Sequence, residues 1–443
     1  MRRGFLIMLV VSLAFHAGNL PAQVGEVKLS LAEARDYAVT NNKMVISARL
    51  DVEASGITVW ETISAALPRV DASASFTDNL KLMTTLLPGE FFGQPGEKIP
   101  VSFGSKYNSG ANIQASLVLF NAPLFLGIET TRLAKRLSEE NLARTELEIR
   151  ESVSSAYYLT LITERTLKIL DEDIENLTAT LRSTRAMFDA GMAEATDVDQ
   201  MISNVTMVEN SRSSLERTIE LNYNILRFQL GLSPDTRIIL TETLESLTEK
   251  INVEALLSKD FDIKDNVDYR LVEGQEMLSS LALKSHKAST LPTLAGFYNY
   301  GTNGMGDKVS GLRWFPNSMT GLQVSLPIFS SGQRYAQIRK AQIDLDKARN
   351  TKALVTDQLR LQEKQLRYNL ISANLQYISQ RDNVEVSKRI YASMENKFRQ
   401  GVASSLELTQ ANSNYLQSEN NYLTALLNLL QTKLSLDKLL NNI

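Results

Sequence analysis

The side chains able to do chemistry are few, and they do not assemble into a catalytic set. Across 443 residues there is no cysteine, and the two histidines are His16 and His286. That rules out disulfides, a Cys-linked lipid anchor and a His-rich zinc site. Carboxylates crowd some helical stretches, as at Asp171, Glu172 and Asp173. They would suit acid–base work if a pocket held them, but no pocket signal accompanies them and the expectation is a solvated helix face. No glycine-rich phosphate loop follows a strand, and the net charge of -3 comes without basic blocks, which argues against a nucleic-acid partner. The residues point to a chain that is not an enzyme and needs no cofactor or metal.

What stands out instead is a set of landmarks that occurs twice. Asn42 to Pro68 aligns without a gap on Asn266 to Pro292, and both segments end in Leu-Pro, Leu67-Pro68 and Leu291-Pro292. Gln114-Ala-Ser-Leu117 followed by Phe120 matches Gln323-Val-Ser-Leu326 followed by Phe329. Phe188-Asp-Ala-Gly191 matches Phe398-Arg-Gln-Gly401, with Asp197 over Glu407, Gln200 over Gln410 and Asn204 over Asn414. The offset between copies falls after the Leu-Pro pair, so copy one carries an insertion of roughly 15 residues there. Chance similarity of two helical segments does not produce matched Gly, Pro and Gln landmarks in one order. The copies span residues 24–231 and 266–443, with a linker at 232–265 that reads as a small equatorial band, strand-like at Arg237 to Leu240.

The elements that must position these landmarks follow from pattern. Ser30 and Glu33 form a Ser-x-x-Glu capping box, opening a helix expected to run to Pro68, which forces Leu67 out of the helical region. Strands are expected near 69–79, 110–121, 292–303 and 319–329. In the first, Val70, Ala72, Ala74 and Phe76 alternate with Asp71, Ser73, Ser75 and Thr77; in the second, Ile113, Ala115, Leu117 and Leu119 oppose Asn112, Gln114 and Ser116. Copy two offers Leu294, Tyr298 and Tyr300, then Leu322, Val324 and Leu326. Strands of about ten residues cross a bilayer when tilted. Between the first two lies a loop carrying Leu86 to Gly96. From Phe125 to Met187 and from Gln333 to Lys397 proline is absent and glycine nearly so, giving helices of roughly 95 Å. The second carries a coiled-coil seam with a stutter, Ile338, Ala341, Leu345, Ala348, Val355, Leu359 and Leu366, resuming from Leu370 through Ala373, Tyr377, Val384, Tyr391, Met394 and Phe398. Each long helix breaks at Gly191 or Gly401, and a shorter antiparallel helix follows, Thr196 to Gly231 or Ser405 to Leu440.

Met1, Arg2 and Arg3 precede an apolar run from Phe5 to Phe15, and small residues follow near Ala22 and Gln23. Residues 1–23 read as a secretory signal peptide, because Gly18, Asn19 and Pro21 interrupt the run before it could span a bilayer as a helix. No later stretch is long and apolar enough to do so. Four amphipathic strands cannot close a barrel alone, and open edges are not tolerated in lipid, so the chain must oligomerise. Two chains give an eight-stranded barrel filled by side chains, whereas three give twelve strands around a wet lumen. The polar faces favour three: a homotrimer with a twelve-stranded barrel continued by a helical tube.

This ordered set of landmarks resembles the TolC family of outer-membrane efflux and export ducts. The resemblance runs from Ser30-Leu-Ala-Glu-Ala34 and Asn41-Asn42, through Leu-Pro before each repeat's first strand, to the two Gly-centred turns, and so covers essentially all of the chain after the signal peptide. It implies a mainly α fold with membrane β: an α/β barrel with four strands per chain in a twelve-stranded trimeric barrel, internally duplicated, with a periplasmic helical tube. It further implies a cell outer-membrane location in a Gram-negative-type bacterium. The partners it implies are a periplasmic adaptor and an inner-membrane pump of the RND, ABC or MFS class. By the same resemblance the turns Gly191-Met192 and Gly401-Val402 meet the adaptor at the periplasmic entrance; the alternative is that they only reverse the chain.

Family members close that entrance with acidic rings and a polar network. Residue by residue, the ring positions here are Glu407 and Gln410, with Thr196 and Asp197 from copy one. Phe398 stands where an aromatic hydroxyl can bond, and Ala403 where an arginine can, so a closed state must be latched by other bonds. Glu407 and Asp197 also suit ordinary helix starts. Phe76, Tyr298 and Tyr300 fit an interfacial girdle or subunit packing. The expected role is a passive duct for drugs and other toxic small molecules in a tripartite pump. The exit duct of a type I protein secretion system and a soluble periplasmic coiled-coil scaffold are the alternatives, the last leaving the strands unexplained.

Overall fold

The computed structural model describes residues 26–93, 96–249 and 251–443; the expected signal peptide lies outside them. Along the chain come β1 (Glu26–Leu29), α1 (Leu31–Asn41), α2 (Lys43–Ser64), β2 (Arg69–Asp78), β3 (Met83–Pro88), β4 (Lys98–Phe103), β5 (Tyr107–Phe120), α3 (Ala122–Asp189) and α4 (Ala195–Leu230). There follow β6 (Arg237–Leu240), α5 (Leu244–Glu249), α6 (Val253–Leu257), α7 (Val267–Ala288), β7 (Thr293–Gly306), β8 (Arg313–Ser325), α8 (Gln333–Arg399) and α9 (Ser405–Leu439). No helix among the described residues is long and apolar enough to cross a membrane.

Two compact units result, and they cut across the sequence copies. One takes the described residues up to Asn42 with Ile149–Ala255 and Leu370–Leu434; the other takes Lys43–Glu148, Leu256–Asn369 and Ser435–Ile443.

In the first unit, Ser30 caps α1 as expected: its hydroxyl accepts the Glu33 N–H while Glu33 accepts from the Ser30 N–H at 2.8 Å. The expected single helix to Pro68 is broken, however. Asn42 is extended at φ -66°, ψ 131°, and its side-chain amide donates to the Gln229 carbonyl at 2.7 Å. Gly231, capping α4 in the left-handed region, packs so close that a Cβ there would stand 2.5 Å from the Asn41 carbonyl oxygen. A long-range contact therefore sets this break. β1 pairs in parallel with β6, and the buried Tyr157 hydroxyl donates to the Leu29 carbonyl at 3.1 Å and accepts from the Glu242 N–H at 3.3 Å. Burial pushes that hydroxyl up to about 12. Leu423, Leu426, Leu429 and Leu430 of α9 are buried, as are Val153 and Leu161 of α3 and Leu226 and Leu230 of α4.

The second unit holds an antiparallel sheet in the order β2-β5-β7-β8. Its register fixes two faces. One carries Val70, Ala72, Ala74 and Phe76, continued by Ala111, Ile113, Ala115, Tyr298, Tyr300, Pro316, Trp314 and Leu322; the other carries Asp71, Ser73, Ser75 and Thr77 with Asn108, Asn112, Gln114, Asn299, Asn303 and Asn317. Two expectations need correction. The register shifts between Val118 and Phe120, so Phe120 rather than Leu119 stands opposite Leu294. A bulge of this kind adds an unpaired residue and breaks the alternation. β8 begins at Arg313 and ends at Ser325, earlier than the expected 319–329, because Pro316 sits on an open edge where its missing N–H costs nothing. The expected loop after β2 is in large part a hairpin, β3 against β4. In α8, Ala341 and Leu345 are buried with Leu283 of α7, and Leu359 is buried also; the seam positions further along, Leu370, Ala373 and Phe398, belong to the first unit and are buried there.

Candidate functional site

The two Gly-centred turns are built alike. Gly191 and Gly401 adopt φ of 71° and 72°, a backbone that L side chains rarely hold. The N–H groups of Gly191 and Met192 donate to the Phe188 and Met187 carbonyls, and those of Gly401 and Val402 to the Phe398 and Lys397 carbonyls. This is the Schellman pattern that ends a helix. Met192 and Val402 project from the turns 75% and 74% exposed, apolar side chains presented to solvent. Two residues later each following helix is capped. Glu407 accepts from the N–H and the hydroxyl of Ser404 at 2.8 and 3.0 Å. Asp197 accepts from the Glu194 N–H at 3.1 Å, and Thr196 donates to Glu194 at 3.3 Å.

Between the turns lies a cavity of about 490 Å³, lined among others by Met187, Asp197, Phe398, Ser405 and Glu407. The second oxygen of Asp197 accepts from the Ser405 hydroxyl at 2.7 Å, joining copy one to copy two. Gln410 donates to Asn414 at 3.0 Å, as Gln200 does to Asn204 at 3.1 Å. Phe398 is buried. Both acids are held below the usual carboxylate range, Asp197 by the Ser405 hydroxyl and then the Glu194 N–H, Glu407 by the Ser404 N–H and then its hydroxyl. Both therefore carry full negative charge at neutral pH.

On the sheet, Phe76, Ser109, Gly304 and Trp314 form one row across all four strands, and Phe76 stacks on Tyr107 at 5.9 Å. The rows of Tyr300 and Tyr298 lie four and six residues nearer the helix-proximal end along β7, about 14 and 20 Å away. The predicted aromatics thus occupy separate heights rather than one belt. Tyr107 and Trp314 were not foreseen, because both lie beyond the strand ends expected from alternation.

The profile of the outer membrane efflux protein family matches residues 35–232 and 280–442. The chain belongs to the TolC family of outer membrane efflux proteins. The probable efflux pump outer membrane protein TtgC of Pseudomonas putida is 24% identical to it over 360 residues, covering 78% of this chain and 72% of TtgC. The outer membrane protein TolC of Vibrio cholerae is 22% identical over 330 residues, covering 71% and 68%. The crystal structure of VceC from Vibrio cholerae has the same fold, with a TM-score of 0.72 at 14% identity over 93% of this chain and 95% of VceC. Family membership makes it an outer-membrane protein with a TolC-type α/β fold.

In this outer membrane efflux protein one sequence expectation is overturned deep in the helices. Asp173 does not lie on a solvated face: it is 3% exposed, accepting from the Asn412 side-chain amide at 2.7 Å, with its other oxygen buried and unbonded. Burial raises its pKa. Nearby, Tyr415 donates to Glu419 at 2.8 Å and stacks on Tyr391 at 5.8 Å, while Asp171 pairs with Arg212 of α4. Ser405 was missed because a short polar side chain at a helix start reads as a capping residue, and Asn412, inside α9, because its partner Asp173 lies on a distant helix.

Proposed function

We propose that this chain is the outer-membrane channel subunit of a tripartite efflux pump, a passive homotrimeric duct for small molecules such as drugs and toxic compounds. The observation that carries this reading is the four-stranded sheet with one apolar and one polar face and two unpaired edges, β2 and β8. In lipid such edges must be closed, and β8 of one copy closing on β2 of the next satisfies every edge in a ring of three. Twelve strands leave a bore that the polar faces line, and the apolar faces meet lipid with Phe76, Tyr107 and Trp314 toward the outer interface and Tyr298 toward the inner. Each copy of the repeat then contributes two strands and a helical pair, the copies being residues 24–231 and 266–443.

The turns at Gly191-Met192 and Gly401-Val402 form the docking tips for a periplasmic adaptor coupled to an inner-membrane pump of the RND, ABC or MFS class. Glu407, Gln410, Thr196, Asp197 and Phe398 form the periplasmic gate around them. Support comes from the exposed Met192 and Val402 at both turns, the two charged acids beside them, and relatives named as pump components. The test is direct: expressed in a Gram-negative host, the protein should be recovered from the outer-membrane fraction as a trimer whose migration shifts on heating. It should also open channels in a planar bilayer, and its deletion should sensitise the native host to drugs. A soluble periplasmic monomer without channel activity would overturn the reading.

A further inference from the structure

The polar face of the sheet carries almost no net charge. Over five rows, from Arg69 to Thr77 along β2, it presents hydroxyls, amides, glycines and a few apolar groups. Arg69 and Asp71 are its charges at the helix-proximal end, and they neutralise one another in an ion pair of 2.9 Å. The remaining charge is Arg313, in the last row with Thr77, Asn108 and Met305. That row lies six residues beyond Asp71 along β2, about 20 Å toward the loop end. Arg313 is exposed and, among the described residues, has no ion pair or side-chain hydrogen bond. The charges around it offset one another: Asp78 and Asp307 against Lys106 and Lys308 at the strand ends, Glu90 and Glu97 against Lys81 and Lys98 in the β3–β4 segment. The Asp307 carboxylate accepts the Lys106 N–H at 3.3 Å, and the Lys106 ammonium lies 5.0 Å from the Tyr107 ring on the apolar face. Among the described residues, Arg313 is the one uncompensated charge directed to the polar side.

We propose that Arg313 sets the charge selectivity of the outer mouth, forming a cationic ring that favours anionic solutes, those bearing carboxylate, phosphate or sulfonate groups, at the exit. This rests on the closed-barrel reading above, in which the polar face lines the bore. Three guanidinium groups around a water-filled bore with low-dielectric walls focus a positive potential over solution. Its reach is set by salt: the Debye length is about 30 Å at 0.01 M and about 3 Å at 1 M, so the ring governs the bore at low salt and fades at high. The tip acids Asp197 and Glu407 carry the opposite sign and are unchanged when Arg313 is replaced.

The test is the reversal potential of single trimers in a planar bilayer under a KCl gradient near 0.01 M, comparing the wild type with Arg313→Gln, Arg313→Glu and Arg313→Lys. The chloride-to-potassium permeability ratio should fall about two-fold in R313Q and further in R313E, hold in R313K, and converge for all four near 1 M. Citrate added on the loop side should block the wild type more strongly than R313Q. Channels of normal conductance with an unchanged ratio in both R313Q and R313E would overturn this assignment and leave the duct standing. A wild type that forms no channel would overturn both.

Discussion

The two tip turns share a backbone and differ in what their acids hold. Gly191 and Gly401 match within one degree of φ, and Asp197 and Glu407 close capping boxes at equivalent positions. Yet Glu407 spends its bonds on its own cap, Ser404, whereas Asp197 divides its oxygens between its own cap and Ser405 of the other copy. The reason is one residue: Ala195 stands in copy one where Ser405 stands in copy two, so the hydroxyl that reaches across exists on one side alone. Duplication reproduced the turn, and divergence at a single position made the link between copies one-sided.

The largest expected effect tests whether the turns are equivalent outside the chain. Gly401→Trp and Gly191→Trp should each abolish drug tolerance in a complementation assay with the trimer intact. The left-handed backbone adds only about 1–2 kcal/mol of strain, and no neighbouring atom lies within 4 Å of a Cβ at either site. Normal tolerance in one variant would show that docking uses the other turn. Next comes Ser405→Ala, which removes the cross-copy bond at a cost of about 1 kcal/mol and should raise basal conductance; an unchanged conductance would take this bond out of the closed state. Its pH signature follows from sign. A carboxyl whose folded pKa is depressed adds stability that is complete above its unfolded value, about 4 for Asp, and lost as pH falls through the folded value. In S405A the contribution of Asp197 should be lost at higher pH than in the wild type, while that of Glu407 is unmoved.

Glu407→Ala should lower the cation preference of single channels while leaving basal conductance near the wild type, because this acid bonds only its own cap. The smallest effect is expected from Ala195→Ser. If, in the proposed trimer, the second turn of one chain neighbours the first turn of the next, the added hydroxyl reaches Glu407 there and lowers basal conductance slightly. An increase would count against that neighbouring arrangement of the turns.

Much of this was legible because it is local. The Ser30–Glu33 box, the alternation in β2 and the glycine turns are each written within a few neighbouring residues. The parts that were not legible depend on distant chain. Asn42 ends α1 without a Pro or Gly signal, because the end of α4 reaches it. β3 and β4 hide in a stretch rich in Gly and Pro, and the bulge at Leu119 keeps an apolar sequence that alternation alone assigns to one face. Asp173 reads as one acid among three, and its burial against Asn412 depends on how α3 meets α9. Polar side chains that bond across elements thus carry the site, and periodicity does not report them.

The pairing of β1 with β6 bears on how the protein is made. Leu31 donates its N–H to Glu242 at 2.9 Å, across 211 residues of chain, and β1 and β6 close the same circuit. A chain threaded through an export channel in order releases β1 long before its partner exists. Joining such distant ends is slow because loop closure must precede the reward of contact. During that delay the short strand β1, with Leu29 that ends up buried, and the buried surface around Tyr157 stand open, a window in which a periplasmic chaperone has something to hold and a protease something to cut.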